Sequence, residues 1–287
     1  MVEAGSVRRV RFERPGEAEG LDDLAKVDMH FHSRASDGKG TPTEILKMAR
    51  RLGIGVAITD HNAVRGSIEA YAEGGVLVIP GMEVSALDGP HILTYFHCID
   101  DLREFHAQAV APRLGRSPFL AISLGSEEII DAARERNGVC VAAHPFGYFM
   151  MNKGVSKCVR KGCMDGRVET KLDGLEVICG SMGRTLNLRA EAHALSQGKA
   201  MTGGTDGHLV RDLGGVIACC QAEDASHFLE EVLAHRATIV GLENGVTRKL
   251  ATGTHMAAAY APYLLPSLAM HYRQNVPRLT RALRRSK

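Results

Sequence analysis

The 287-residue chain contains no Trp, and aromatic residues make up only 5% of it. No run approaches the ~20 apolar residues needed to span a bilayer. No G-x-G-x-x-G follows an apolar run and opens a helix, so the dinucleotide fingerprint is missing. Gly203-Gly204 and Gly214-Gly215 read as turns instead. Charge of either sign is nearly absent in the balance, at a formal net +2. That implies no broad nucleic-acid footprint over the body of the chain. The small excess is unevenly placed. Arg273, Arg278, Arg281, Arg284, Arg285 and Lys287 crowd the last fifteen residues without an acid, so the remainder carries 2 − 6 = −4. Cysteine is sparse and odd in number, at seven. With a charged N-terminus lacking an apolar signal core, this predicts a reduced, cytoplasmic protein with free thiols. Cys158 and Cys163 have no second pair to complete a zinc site, and are expected to be structurally indifferent.

The pattern that is present alternates short apolar runs with helical segments. Residues 1–26 read as an extension whose Val7 to Phe12 alternation suits an edge strand. Strands are expected at Val27–His32, Gly55–Thr59, Val76–Ile79, Ile92–Phe96, Val139–Ala143, Leu175–Ile178, Ala200–Thr202 and Thr238–Val240. Thr41-Pro42-Thr-Glu44 opens a helix with a capping box, and Gly53 closes it. Residues 147–173 show no period and read as a long loop. Met256 to Tyr272 is apolar and runs into the basic tail. It is read as a C-terminal helical element packed on the domain, the alternative being an acidic membrane or nucleic-acid surface. The expected division is therefore 1–26, 27–245 and 246–287. The repeat of strand, polar loop and helix argues a parallel sheet closed by crossover helices.

Groups of metal-ligand type follow nearly every strand: His30, His32, Asp37, His61, Glu83, His91, His144, Asp206 and His208. His30 and His32 stand two apart, so on a strand both imidazoles share a face. A barrel brings all its strand ends to one mouth, whereas an open sheet does not. One metal takes four to six ligands, so nine groups suggest two or three metals sharing a carboxylate. Other histidines, including His97, His193, His255 and His271, read as ordinary core or surface residues. Asp28, Asp60 and Glu176 also end or occupy strands; Asp28 and Asp60 are equally compatible with orienting ligating imidazoles and with plain strand-end hydrogen bonding.

Five segments together resemble the PHP (polymerase and histidinol phosphatase) superfamily of metal-dependent phosphoesterases. They are Asp28-Met-His30-Phe-His32-Ser-Arg-Ala-Ser-Asp37-Gly, Ile58-Thr-Asp-His61-Asn, Pro80-Gly-Met-Glu83, His144-Pro145 and Gly204-Thr-Asp206-Gly-His208. The resemblance implies a distorted (β/α)7 TIM-like barrel and a site of two or three divalent metals (Mn, Fe or Zn). It implies one metal on His30, His32, Glu83 and Asp206. Glu83 would bridge to a second metal on His91 and His144, and Asp37, His61 and His208 would hold a third. Many members carry His where this chain has Asp37. The Ser-Asp-Gly version looks like the branch acting on nucleoside phosphates or RNA 5′ ends.

The expected reaction is hydrolysis of a small, nucleotide-like phosphate ester by metal-activated hydroxide. Glu83, Asp206 and His208 are the residues expected at the chemistry, with His208 a candidate proton donor. Arg34, Lys39 and Arg184 are candidate phosphate clamps. The alternatives are a 3′–5′ exonuclease or RNA 5′-end processing enzyme acting on an oligonucleotide, and a non-catalytic metal-binding regulatory module. A cyclic amidohydrolase also uses His-x-His, but would not need Asp37 together with Thr-Asp-His61.

Overall fold

The computed structural model describes residues 9–147 and 153–285, with side chains described through Gln274. In chain order the elements are β1 (Val10–Arg11), β2 (Ala25–Phe31), α1 (Pro42–Leu52), β3 (Gly55–Ile58) and α2 (Arg65–Glu73), followed by β4 (Gly81–Ser85) and β5 (His91–Tyr95). Next come α3 (Ile99–Phe105), α4 (Ser126–Arg134), β6 (Val139–Ala142), α5 (Val155–Arg160), α6 (Gly166–Lys171), β7 (Gly174–Cys179), α7 (Arg184–Ser196) and β8 (Ala200–Gly204). The chain continues through β9 (Val216–Cys220), α8 (Ala225–Leu233), β10 (Thr238–Gly241), α9 (Val246–Tyr260) and α10 (Leu264–Arg285).

The strands form two five-stranded mixed sheets, ordered β1-β10-β9-β2-β3 and β4-β5-β6-β7-β8. Both sheets are mixed, which corrects the parallel sheet expected from the sequence; among the described residues the ladder pairing is not traced continuously around a closed barrel. The sheets meet at two seams through isolated bridges. Val56–Val78 and His61–Glu83 join β3 to the β4 side, and Phe31–Gly207 joins β2 to the residues after β8. Parallel order fails first at β4–β5, an antiparallel pair. Its five-residue connection is far too short for a crossover helix. Strand β9, antiparallel to both β2 and β10, is absent from the sequence reading.

Local signals held where the chemistry was local. Thr41 and Glu44 complete the capping box of α1, and Gly53 ends it with φ 65°. The segment 76–79 contributes only a bridge, and the strand begins at Gly81. The expected loop 147–173 contains α5 and α6. The edge strand shortens to β1, paired in parallel with β10, while Val7 and Arg8 lie outside the described residues. Most strand residues are buried on both faces, and β3, β6 and β9 read as unbroken apolar runs for that reason.

The last two helices decide the shape of the site. The Phe119 ring packs against Tyr260 and Tyr263, with centroids 5.6 and 5.5 Å away. The Lys249 ammonium donates to the Met182 carbonyl. Gln274, buried, donates to the Ala86 carbonyl. So α9 and the start of α10 lie across the strand ends.

Candidate metal centre

The nine strand-end groups all gather beneath α9, and all are buried. Glu83 is their hub. Its Oε1 lies 3.0 Å from His91 Nδ1 and 3.2 Å from His144 Nε2. Its Oε2 lies 3.1 Å from His61 Nδ1, 3.3 Å from His30 Nε2 and 3.4 Å from His32 Nε2. Asp206 Oδ1 faces His32 and His30 at 3.3 and 3.5 Å. Asp37 takes the far side, 3.5 Å from His208 Nε2, 3.6 Å from His61 Nε2 and 3.7 Å from His32 Nδ1.

Backbone geometry aims these side chains. His144 and Asp206 have φ of 30° and 49°, a region costly for residues with a Cβ. Gly204 must be glycine, since a Cβ there would sit 2.4 Å from the His30 backbone nitrogen. Asp28 accepts from the Thr205 amide and hydroxyl and the Gly214 amide, and so holds the loop that presents Asp206. Asp60 accepts from the Ser33 amide and hydroxyl and the Ser36 hydroxyl, shaping the turn between His32 and Asp37. Both carboxylates position loops, not imidazoles. Glu176 does orient an imidazole. Its Oε1 is 3.0 Å from His30 Nδ1, and Oε2 accepts the His144 amide.

The electrostatics call for a cation. Burial works against ionising Glu83 and Asp206, yet the surrounding imidazoles hold both well below the usual carboxylate range. Asp37 is lowered as well, by His61, His208 and His32 acting against burial. Burial opposes a charge on His208, but Asp37 and Asp206 outweigh it and raise its pKa to about 9. His30 is likewise raised, by Glu176, Glu83 and Asp206 against burial. Burial wins at His61 and His91, pushed down to about 4 and about 3.

The donor set fits divalent metals. His32 Nδ1, Asp37 Oδ2, Glu83 Oε2, His91 Nε2 and His208 Nε2 are buried without a hydrogen-bond partner, an arrangement costly unless an ion completes it. Three groups have ligand atoms within 4.8 Å of one another: His32, Asp37, His61 and His208; His30, His32 and Asp206; His61, Glu83 and His91. His32 and His61 are each shared between two of these groups, a sharing that chain order does not reveal. His208 Nδ1 is 3.0 Å from the Asp206 carbonyl, which leaves Nε2 facing Asp37.

Above the cluster is a cavity of about 350 Å³, lined by His61, Glu83, His91, Leu120, His144, Lys153, Asp206, His208, Met256, Ala257, Tyr260 and His271. Lys153, Tyr260 and His271 were missed by sequence reasoning. Lys153 lies in a stretch without periodicity, and nothing local marks it as 7% exposed beside nine ligand-type groups. The Tyr260 hydroxyl bonds Asp37, and its pKa is raised by burial and by that carboxylate. His255 Nε2 is 2.9 Å from the Asp37 carbonyl. The three expected phosphate clamps are not in this lining. Arg34 is exposed. Arg184 is paired with Glu243 at 3.0 Å and stacked on Phe12 at 4.4 Å. Lys39 lies in a neighbouring groove of about 650 Å³ with Arg211 and His255. All seven cysteines are free thiols, and among the described residues none joins a metal group.

This fold and this ligand cluster define a metal-dependent hydrolytic centre. The PHP domain family profile matches residues 28–265, and the chain belongs to that family, whose enzymes are hydrolases of phosphoester bonds. An uncharacterized protein of Methanocaldococcus jannaschii is 30% identical over 167 residues, covering 53% of this chain and 80% of that protein. A 3′,5′-nucleoside bisphosphate phosphatase of Chromobacterium violaceum is 43% identical over 72 residues, which span 24% of this chain but only 25% of that enzyme. Among solved structures, a lesion-specific endonuclease of Pyrococcus furiosus superposes with a TM-score of 0.58 at 20% identity, covering 75% of this chain and 57% of the endonuclease.

Proposed function

We propose that this chain hydrolyses the phosphate ester of a small, nucleotide-like molecule at a centre of two or three divalent metals. The observation that carries the reading is Glu83 within 3.0–3.4 Å of five imidazoles, at the floor of a roofed cavity. His30, His32, Asp37, His61, Glu83, His91, His144, Asp206 and His208 would hold the ions. Mn, Fe and Zn all accept such mixed nitrogen and oxygen donors. When bound, the metals supply Lewis acidity to phosphoryl oxygens and lower the pKa of water.

The chain's own residues do the rest. Glu83, Asp206 and Asp37 concentrate negative charge that repels a phosphate until the ions are in place. The Lys153 ammonium is the cavity's own cation, suited to a phosphoryl oxygen. Glu176 sets the His30 tautomer, and the Asp206 carbonyl sets that of His208. Helix α9 excludes bulk water from one side. A cavity of about 350 Å³ suits a small ligand.

A second reading, processing of RNA 5′ ends, is favoured by the open groove beside the cavity with Lys39 and Arg211 in its wall. A 5′-3′ exoribonuclease of Salmonella typhimurium, 30% identical over 142 residues, points the same way. One experiment separates the two. The purified protein, with its metal content measured, is offered nucleoside mono- and bisphosphates and 5′-phosphorylated oligonucleotides of increasing length. Release of inorganic phosphate from nucleotides, lost with chelator and with His61→Ala, supports the first. Nucleotide release rising with oligonucleotide length, without phosphate release, supports the second. No turnover with two or three metals bound would leave a binding module.

A further inference from the structure

We propose that α10 is an interfacial helix that docks the protein on an anionic lipid surface. Large apolar side chains exposed on this protein cluster at its C-terminal end. Leu264, Leu265, Leu268 and Tyr272 are 59%, 77%, 56% and 69% exposed. Contiguous exposed apolar surface of this kind marks an interaction site. At 100° per residue these four positions share one face of the helix. The far side is already used, where Gln274 donates to the Ala86 carbonyl, and His271, at the edge of the stripe, lines the metal cavity. The domain therefore anchors α10 by one side and leaves the apolar stripe outward.

Charge selects the occupant. Residues 244–287 contain eight Lys and Arg and no Asp or Glu. The last fifteen residues hold five Arg and one Lys without an acid, directly after the apolar stripe. An apolar stripe followed by a basic, acid-free segment matches a bilayer of acidic headgroups over acyl chains. Nucleic acid would meet the arginines but offers no surface for a leucine stripe. A second copy would cover the leucines but bring two acid-free cationic helices together. Among the described residues no helix is long and apolar enough to cross a membrane, so the association is peripheral. The inference does not depend on the phosphoesterase reading.

The test is co-sedimentation of the full chain with vesicles of phosphatidylcholine alone, or with about 30% phosphatidylglycerol, at low and high salt. Binding at least about tenfold stronger to the anionic vesicles, weakened by salt, is expected. The pair Leu265→Glu and Leu268→Glu should abolish it with the melting temperature unchanged, since both positions are exposed. Arg281→Glu with Arg284→Glu should remove the preference for anionic lipid, and stands alone if the leucine variant misfolds. Equal pelleting of wild type and both variants would overturn the proposal. So would a dimer in sedimentation velocity that Leu265→Glu dissociates in protein showing no vesicle binding. Oligonucleotide binding in place of vesicle binding, insensitive to Leu265→Glu, would overturn it as well.

Discussion

Glu176 lies 3.0 Å from Nδ1 of His30, a contact that spans 146 residues of sequence and turns Nε2 of that imidazole toward Glu83, Asp206 and His32. A carboxylate in this position both fixes the ring and raises its basicity as a ligand. Glu176→Gln keeps the shape but removes the charge. It should weaken metal affinity by roughly 10–100-fold, read by titration calorimetry, with a parallel loss of activity at limiting metal.

Lys153 is the test of how the cavity holds phosphate. Lys153→Met keeps the apolar stem and deletes the ammonium. KM for a phosphorylated substrate should rise about tenfold or more, with metal content unchanged. An unchanged KM would remove Lys153 from the binding site.

Metal-free protein should show a stability maximum near pH 6.5. His61 and His91 have folded-state pKa values pushed down to about 4 and about 3. The unfolded chain therefore binds their protons first, and stability falls as pH drops below 6.5. His208 is raised to about 9, so its contribution is complete below 6.5 and disappears as pH rises through 9. His30 acts in the same direction. Saturating metal displaces these protons, so thermal melts should flatten on the alkaline side when Mn²⁺ or Zn²⁺ is added.

Gly204→Ala should destabilise the fold by roughly 1–3 kcal/mol, because the new methyl overlaps the backbone of His30. Chemical denaturation measures the loss. The same shift should misplace His30 and lower metal occupancy, so stability and metal content should fall together.

The sequence alone determined which nine ligand-type groups gather in the buried cluster. Ligand-type groups placed directly after apolar runs were legible because strand burial imposes apolar runs, and loops at strand ends are where polar side chains can converge. The cap of α1 and its glycine stop were legible for the same local reason, since each is settled within four or five residues. Tertiary structure decided everything that depends on which surfaces meet. Strand pairing set the mixed sheets, because β4 and β5 lie antiparallel and β9 inserts beside β2. Side-chain convergence made His32 and His61 each common to two ligand groups. Only the return of α9 across the strand ends brought Tyr260 to Asp37 and roofed the cavity that Lys153 also lines. No spacing in the chain encodes that contact, since residues more than 200 positions apart meet only when the C-terminal helices close over the site.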